Sequence, residues 1–494
     1  MSTIDGPAGG DKNPGGEATS HGIDDGEFPR TRSGTAGVGN SPGAPPATPW
    51  LPAAAAVAVA AWGANQFTAL ATVYRARTDW SALSLAAMFS VYLVGLVPGL
   101  LVGRPAADRY GRRRVVRGAL VLSAAASAVL AVPDQPAVYA ARLATGFAAG
   151  LVFLAGATWL RELSGPSVPP AASARRAMYA TGVGFSAGAL ASGVLAEWLP
   201  GPTTLPALAH ALCCLLVLRA TRHLAETAPG PRPEHAAGRR EGARDGVRDG
   251  MPGGRGHGVP AGQGEEHRAA VRHPRFRYVV LPASPAVLGS ATVAYVVLPP
   301  LVADRVPGFA PLFGGLVAAL TLAMGVLAQP FAARLDDRDS ARATLTAMAT
   351  VIAGLLVGAL AAERDSVALV VAAALVLGTG YGLTLGAGLH EVERLTRTPT
   401  GPARTTTGPN TRTGPSTTTG PSAASLYQST TSTGFLTPLL LAGTAGHASY
   451  PVLLTGMAAV GLCCLGVTAA HSRRHLPEPD RAAHPATGRA RIHP

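Results

Sequence analysis

Residues 84–114 read SLAAMFSVYLVGLVPGLLVGRPAADRYGRRR. No charge falls between Ser84 and Gly103, and a run of about 20 apolar residues is what a helix needs to cross the hydrocarbon core of a bilayer. Arg104, Asp108, Arg109, Arg112, Arg113 and Arg114 then follow in close order, and Val115 opens the next apolar run. An apolar run, a charged turn punctuated by Gly and Pro, and a second apolar run predict two membrane helices joined by a tight loop.

The same alternation continues in both directions. Apolar stretches at 51–74, 84–103, 115–133, 137–160, 176–197, 203–221, 278–302, 311–333, 342–361, 366–389, 423–443 and 450–471 predict about twelve spans. The weakest is 423–443, which holds Gln428 and a Ser/Thr run from Ser429 to Thr433. Composition agrees: 48% of the chain is hydrophobic and 14% is charged, where a soluble chain carries about 25% charged residues. The expected fold class is all-α membrane.

The polar stretches set the organisation. Residues 1–49 read as a disordered cytoplasmic tail without a cleavable signal. Residues 50–222 hold six predicted spans, 223–275 form a polar cytoplasmic linker, and 276–471 hold six more. Thr/Gly/Pro repeats at 396–422 read as a low-complexity insertion, and 472–494 as a second cytoplasmic tail. Gly150-Leu151 with Ala155-Gly156 recurs as Gly382-Leu383 with Ala387-Gly388. Both copies fall late in the fourth span of their half, which favours a duplicated, parallel-repeat architecture.

The formal net charge is +13. The arginines flank the apolar runs instead of forming one stripe, so they orient the chain in a membrane and do not mark a nucleic-acid surface. With an even span count and the tail inside, the inner loops hold most of the arginines. The outer loops keep Arg75, Arg77, Arg305 and Arg364, with Asp79, Asp134, Asp304, Glu363 and Asp365 nearby. The expectation is a multi-pass plasma-membrane protein with both termini cytoplasmic. Arg use over Lys and the wealth of Ala, Gly and Pro point to a GC-rich bacterial genome.

Little in the chain points to catalysis. The cysteines are two adjacent pairs inside apolar runs, Cys213-Cys214 and Cys463-Cys464, without metal-ligand spacing. There is no GxxxxGK[ST] phosphate loop or HExxH, so no cofactor, metal, ATP-driven pump or enzyme activity is expected. Few polar residues lie at depth. Asn65, Gln66, Tyr295 and Tyr381 are candidates to line a cavity, and His210 reads as a hydrogen-bonded structural residue. Arg142 stands within the fourth span, where a cation costs about 2.5–3.5 kcal/mol. It either faces a wet cavity or an acid, or snorkels to the outer end.

Asp108-Arg109-Tyr110-Gly111-Arg112-Arg113 resembles motif A of the major facilitator superfamily, with Arg104 where that family usually has Gly. Arg142 with Gly146 resembles motif B, and the string from Gly184 through Gly188 to Gly193 resembles the antiporter motif C without its Pro. The resemblance covers roughly 50–222 and 276–471. It implies two six-helix bundles around a central cavity, rocking to alternate access. It also implies gating by Asp108, Arg109, Gly111, Arg112 and Arg113, proton coupling through Arg142, and close helix packing at Gly184, Gly188 and Gly193. The expected activity is proton-coupled export of a small organic solute. Proton-coupled uptake of a metabolite is the alternative, and a non-transporting scaffold or sensor is the rival from another class. Small-molecule substrate, protons and lipid are the expected partners.

Overall fold

Pro105 does not end the second helix. In the computed structural model, which describes residues 49–227, 273–337, 339–397 and 423–474, that helix runs from Ala82 to Tyr110 with Pro98 and Pro105 inside it. The chain turns at Gly111, whose φ of 96° suits Gly and strains any other residue. The loop expected at 103–114 is thus a one-residue break. Arg104 and Asp108 lie one turn apart on the helix, at 4.0 Å, and help it outlast the apolar run.

The described residues form helices at each expected position. They are α1 (Trp50–Arg77), α2 (Ala82–Tyr110), α3 (Arg112–Leu130), α4 (Gln135–Leu163), α5 (Pro170–Trp198), α6 (Leu205–Ala220), α7 (Phe276–Leu301), α8 (Ala310–Leu335), α9 (Arg342–Glu363), α10 (Val367–Arg397), α11 and α12 (Tyr450–His471). The eleventh, α11, is broken into Ala423–Ser432, a 3₁₀ turn Thr433–Leu436, and Thr437–Thr444. Ten of these are long and apolar enough to cross a membrane. The others are α3, which opens on Arg112, Arg113, Arg114 and Arg117, and α11. In α11 the Ser/Thr run turns its hydroxyls back on the carbonyls of Tyr427, Gln428 and Thr430. Such bonds compete with regular helix and account for the break. No strand occurs among the described residues; the sole β contact is an isolated bridge between Asp337 and Ser340.

Small residues decide how the helices pair. Gly150 on α4 lies against the backbone of α2 at Leu96 and Leu100, and Gly382 on α10 lies against the backbone of α8 at Gly325. The two copies of the repeated Gly-Leu therefore make the same kind of contact in their two halves. The halves meet where α5 lies along α8, and where α2 touches α11.

Polar contacts define two faces. One gathers the ends near residues 50, 110, 162, 222, 275, 336, 394 and 472 and is called here the terminal face. The other gathers the turns near 78, 131, 200, 305, 365 and 446 and is called the far face. Residues 223–227 and 273–275, assigned to the linker from sequence, pack onto their halves: Leu224 is buried, and the Trp159 indole donates to the Ala225 carbonyl at 3.0 Å. The rest of that linker, nearly all of both tails, and residues 398–422 of the insertion lie outside the described residues.

Candidate transport site

On the terminal face, the motif residues are held by an acid the sequence did not suggest. The Glu226 carboxylate accepts the backbone N–H of Arg112 at 2.8 Å and of Arg113 at 3.2 Å. It caps α3. Gly111 leaves it room, since a Cβ there would fall on the Glu226 carboxylate. Arg112 pairs with Glu162 at 3.0 Å and with Asp108 at 3.9 Å. Arg113 donates to the carbonyls of Leu224 and Arg222, and Arg109 stacks over Tyr110. The Asp108 side chain stays 51% exposed, and both its ion pairs lie within the first half. Arg104 does not replace the usual glycine in packing; Gly103, one residue earlier, makes the close approach to Leu151 and Gly150.

The second half carries its own cluster. Arg275 at the start of α7 pairs with Glu391 of α10 at 2.7 and 2.8 Å and donates to the Ser472 carbonyl at 3.2 Å. The Ser472 hydroxyl accepts from the Ala341 N–H. Arg394 bridges Asp336 at 2.6 Å and approaches Glu391 at 3.7 Å. On the α8–α9 turn, the Ser340 hydroxyl and the Asp339 N–H hold the Asp337 carboxyl below the usual carboxylate range.

Arg142 does not snorkel. It is 1% exposed, and its guanidinium lies 4.8 Å from the ring of Tyr92, 5.1 Å from Phe67 and 5.9 Å from Phe89. Nη1 donates to the Ala64 carbonyl at 3.1 Å, Nε reaches Met88 at 3.4 Å, and Nη2 has no partner. No ion pair reaches it among the described residues. Phe89 also meets Tyr295 at 6.2 Å and Phe435 at 5.7 Å, and Tyr92 meets Phe435 at 5.7 Å. These aromatic contacts join the two halves. Tyr295 sits in a π-helical turn, Val293–Val297, a distortion frequent at functional sites.

The other predicted residues are scattered. Gln66 turns toward α3 and donates to Ser127 at 3.0 Å. Ser127 meets His210 Nδ1 at 2.7 Å, and His210 Nε2 meets the Val59 carbonyl at 3.0 Å. A carbonyl only accepts, so Nε2 carries a proton, and the chain pins α1, α3 and α6 together. Asn65 is buried, and Tyr381 packs over Gly325. Gly184 and Gly188 pack on Ala58 and Trp62 of α1, and Gly193 on Pro311 and Gly315 of α8.

Residues 53–398 match the Major Facilitator Superfamily. The chain belongs to that superfamily. A stretch of 80 residues is 39% identical to the 3-(3-hydroxy-phenyl)propionate transporter of Escherichia coli (strain K12), covering 16% of this chain and 20% of that relative. The chain thus matches only about a fifth of that relative's length. Among solved structures, the nucleoside transporter NupG (D323A mutant) superposes with a TM-score of 0.61 at 12% identity, over 85% of this chain and 98% of that one. A POT family transporter in complex with 5-aminolevulinic acid gives 0.61 at 11% identity, over 86% and 96%. The family match and these likenesses establish the superfamily fold. Sequence reasoning placed Glu391 beside Arg394, which holds at 3.7 Å, but missed Glu226 and Arg275 because their partners lie far along the chain. It passed over Phe67 and Phe89, which look like any other apolar residue of a span.

Proposed function

We propose that this superfamily member is a proton-coupled transporter that takes up a small organic acid, with the carboxylate held by Arg142. The observation that carries this is the state of that guanidinium: buried, caged by three rings, and with Nη2 unpartnered. A buried, unpaired cation costs several kcal/mol, and a visiting anion removes that cost. Aromatic walls suit an acid with an apolar or aromatic body. The relative's named substrate, 3-(3-hydroxy-phenyl)propionate, has that chemistry.

Orientation follows from charge. The Arg-rich terminal face belongs in the cytosol, which puts both termini there and the far face outside. An anion entering then works against an inside-negative potential, about 2.3 kcal/mol per 100 mV. A proton carried with the acid cancels that charge. Glu391 is the buried acid among the described residues, and it is occupied by Arg275, so the coupling proton travels with the substrate carboxylate. Asp108, Arg109, Arg112 and Arg113 serve as the cytosolic gate. In the present state Asp108 bonds within the first half only, while aromatic contacts close the far side. Export, expected from the resemblance to motif C, rests on glycines that helix packing already requires.

The test is transport of labelled 3-phenylpropionate by the full chain in proteoliposomes, with 3-phenylpropionamide as the uncharged control. Acid outside should drive uptake of the acid and leave the amide behind. Arg142→Gln should lower uptake by about tenfold or more, as for a lost charge-assisted hydrogen bond, and Arg142→Lys should keep part of it. Equal transport of the amide, or undiminished transport by Arg142→Gln, would overturn the assignment. Acid-driven efflux of preloaded 3-phenylpropionate would instead restore export.

A further inference from the structure

A cavity of about 60 Å³ opens on the far face between the halves. Its walls come from α1, α2, α7, α8, α11 and α12, so it exists only where the two bundles face one another. Phe67, Phe89 and Tyr295 form part of the lining. Phe67 and Phe89 also cover Arg142, so the same rings border both the cavity and the buried guanidinium.

Two polar groups on α1 stand out in this apolar space. Thr68 lines the cavity, is 4% exposed, and its hydroxyl has no hydrogen-bond partner. One turn on, Thr72 turns its hydroxyl back to the Ala69 carbonyl at 2.7 Å, which is the ordinary way for a helical Thr to satisfy itself. Thr68 does not, and a buried unsatisfied hydroxyl costs about 1–3 kcal/mol. Arg75 stands two turns beyond Thr68, about 10 Å along the helix and on the same face. It is the cation in the lining and makes no ion pair among the described residues.

We propose that this cavity is a loading site, where Arg75 and the Thr68 hydroxyl bind the carboxylate of an incoming organic acid before the aromatic wall at Phe89 and Tyr295 parts. Arg75 at the mouth draws the anion in. Leu85, Ala86 and Val296 cover its apolar body, and Thr68 offers a donor at the foot of the wall. The enclosed space holds several waters, so the halves part at this face when the acid enters. This site rests on the assignment of an organic acid to Arg142, but it is a separate place.

The experiment uses the full chain with its four cysteines replaced by alanine and Ala82→Cys added at the lining. An impermeant thiol reagent labels that cysteine from the far side, and 3-phenylpropionate should slow the labelling while the amide should not. Arg75→Gln or Thr68→Val should weaken the protection roughly tenfold, and Thr68→Ser should restore it. Protection should persist in Arg142→Gln, which removes the deeper site. The same two variants should raise the half-saturating acid concentration from the far side and leave it unchanged from the terminal side in inverted vesicles. Protection that vanishes with Arg142→Gln, or that survives both Arg75→Gln and Thr68→Val, would overturn the loading site. Normal transport by Arg142→Gln alongside intact protection would instead remove the deeper assignment and leave this one standing.

Discussion

Arg275 and Glu391, 116 residues apart, close on each other through two parallel hydrogen bonds of 2.7 and 2.8 Å, with both side chains buried. The pair joins the start of α7 to the end of α10 at the terminal face, and Arg275 reaches on to the α12 end through Ser472. Both charges are desolvated, so the pair's net worth differs greatly from the cost of breaking it.

Glu391→Ala should therefore destabilise the second half by about 3–5 kcal/mol, because it strands the Arg275 guanidinium. Arg394 keeps Asp336 as a partner and softens the loss on its side. The double replacement Arg275→Met with Glu391→Leu should melt closer to the parent chain than either single change does. Thermal unfolding in detergent reads the difference. A double variant that melts lowest of the three would show that the pair is strongly net favourable.

Gly111 and Glu226 form the matching junction of the first half. Gly111→Ala meets two penalties: a positive φ with an extended ψ, a conformation nearly confined to Gly that costs about 1–3 kcal/mol, and a methyl where the capping carboxylate now lies. Glu226→Ala leaves the first N–H groups of α3 without their acceptor, a loss of about 1 kcal/mol. Each change removes the same cap, so the two effects should combine to less than their sum. Full additivity in the melting temperatures would mean that the glycine and the carboxylate act independently.

The fold was legible in the sequence because crossing lipid demands long apolar runs, and those run lengths are local. The 84–103 run and its charged sequel gave α2 and α3, although the helix overran its apolar part to Tyr110. Gly150 and Gly382 were legible as a repeat, and their equivalent contacts on α2 and α8 follow from it. The site was less legible. Arg142 stood out because a cation at depth is rare, but most of its cage did not, since Phe67 and Phe89 are common residues in any span. Glu226 capping α3 from 114 residues away has no local signature, and neither does the Arg275 partner of Glu391. Gln66 was placed in the cavity as a polar residue at depth, while the structure turns it toward Ser127.

Closing of the far face should depend on Gly193. A Cβ there would lie 2.7 Å from the Pro311 carbonyl and 3.1 Å from Gly315 Cα, so a larger side chain wedges α5 from α8. Gly193→Leu should insert in the membrane in normal amount yet transport poorly, with faster far-side labelling of Ala82→Cys. Unchanged labelling would mean that α5 and α8 tolerate the wedge by shifting locally.

Tyr92 tests how the rings serve Arg142. Its ring lies nearest the guanidinium, at 4.8 Å, and a desolvated cation–π contact is worth about 2 kcal/mol. Tyr92→Phe keeps the ring and should leave transport near the parent level. Tyr92→Leu removes it and leaves the guanidinium to the more distant Phe67 and Phe89 rings and the Ala64 and Met88 carbonyls. Affinity for 3-phenylpropionate should fall by roughly tenfold to thirtyfold, since about 1.4 kcal/mol is a factor of ten. Equal losses in Phe and Leu would place the requirement on the Tyr92 hydroxyl, and the cage would then act through a hydrogen bond instead of through its π face.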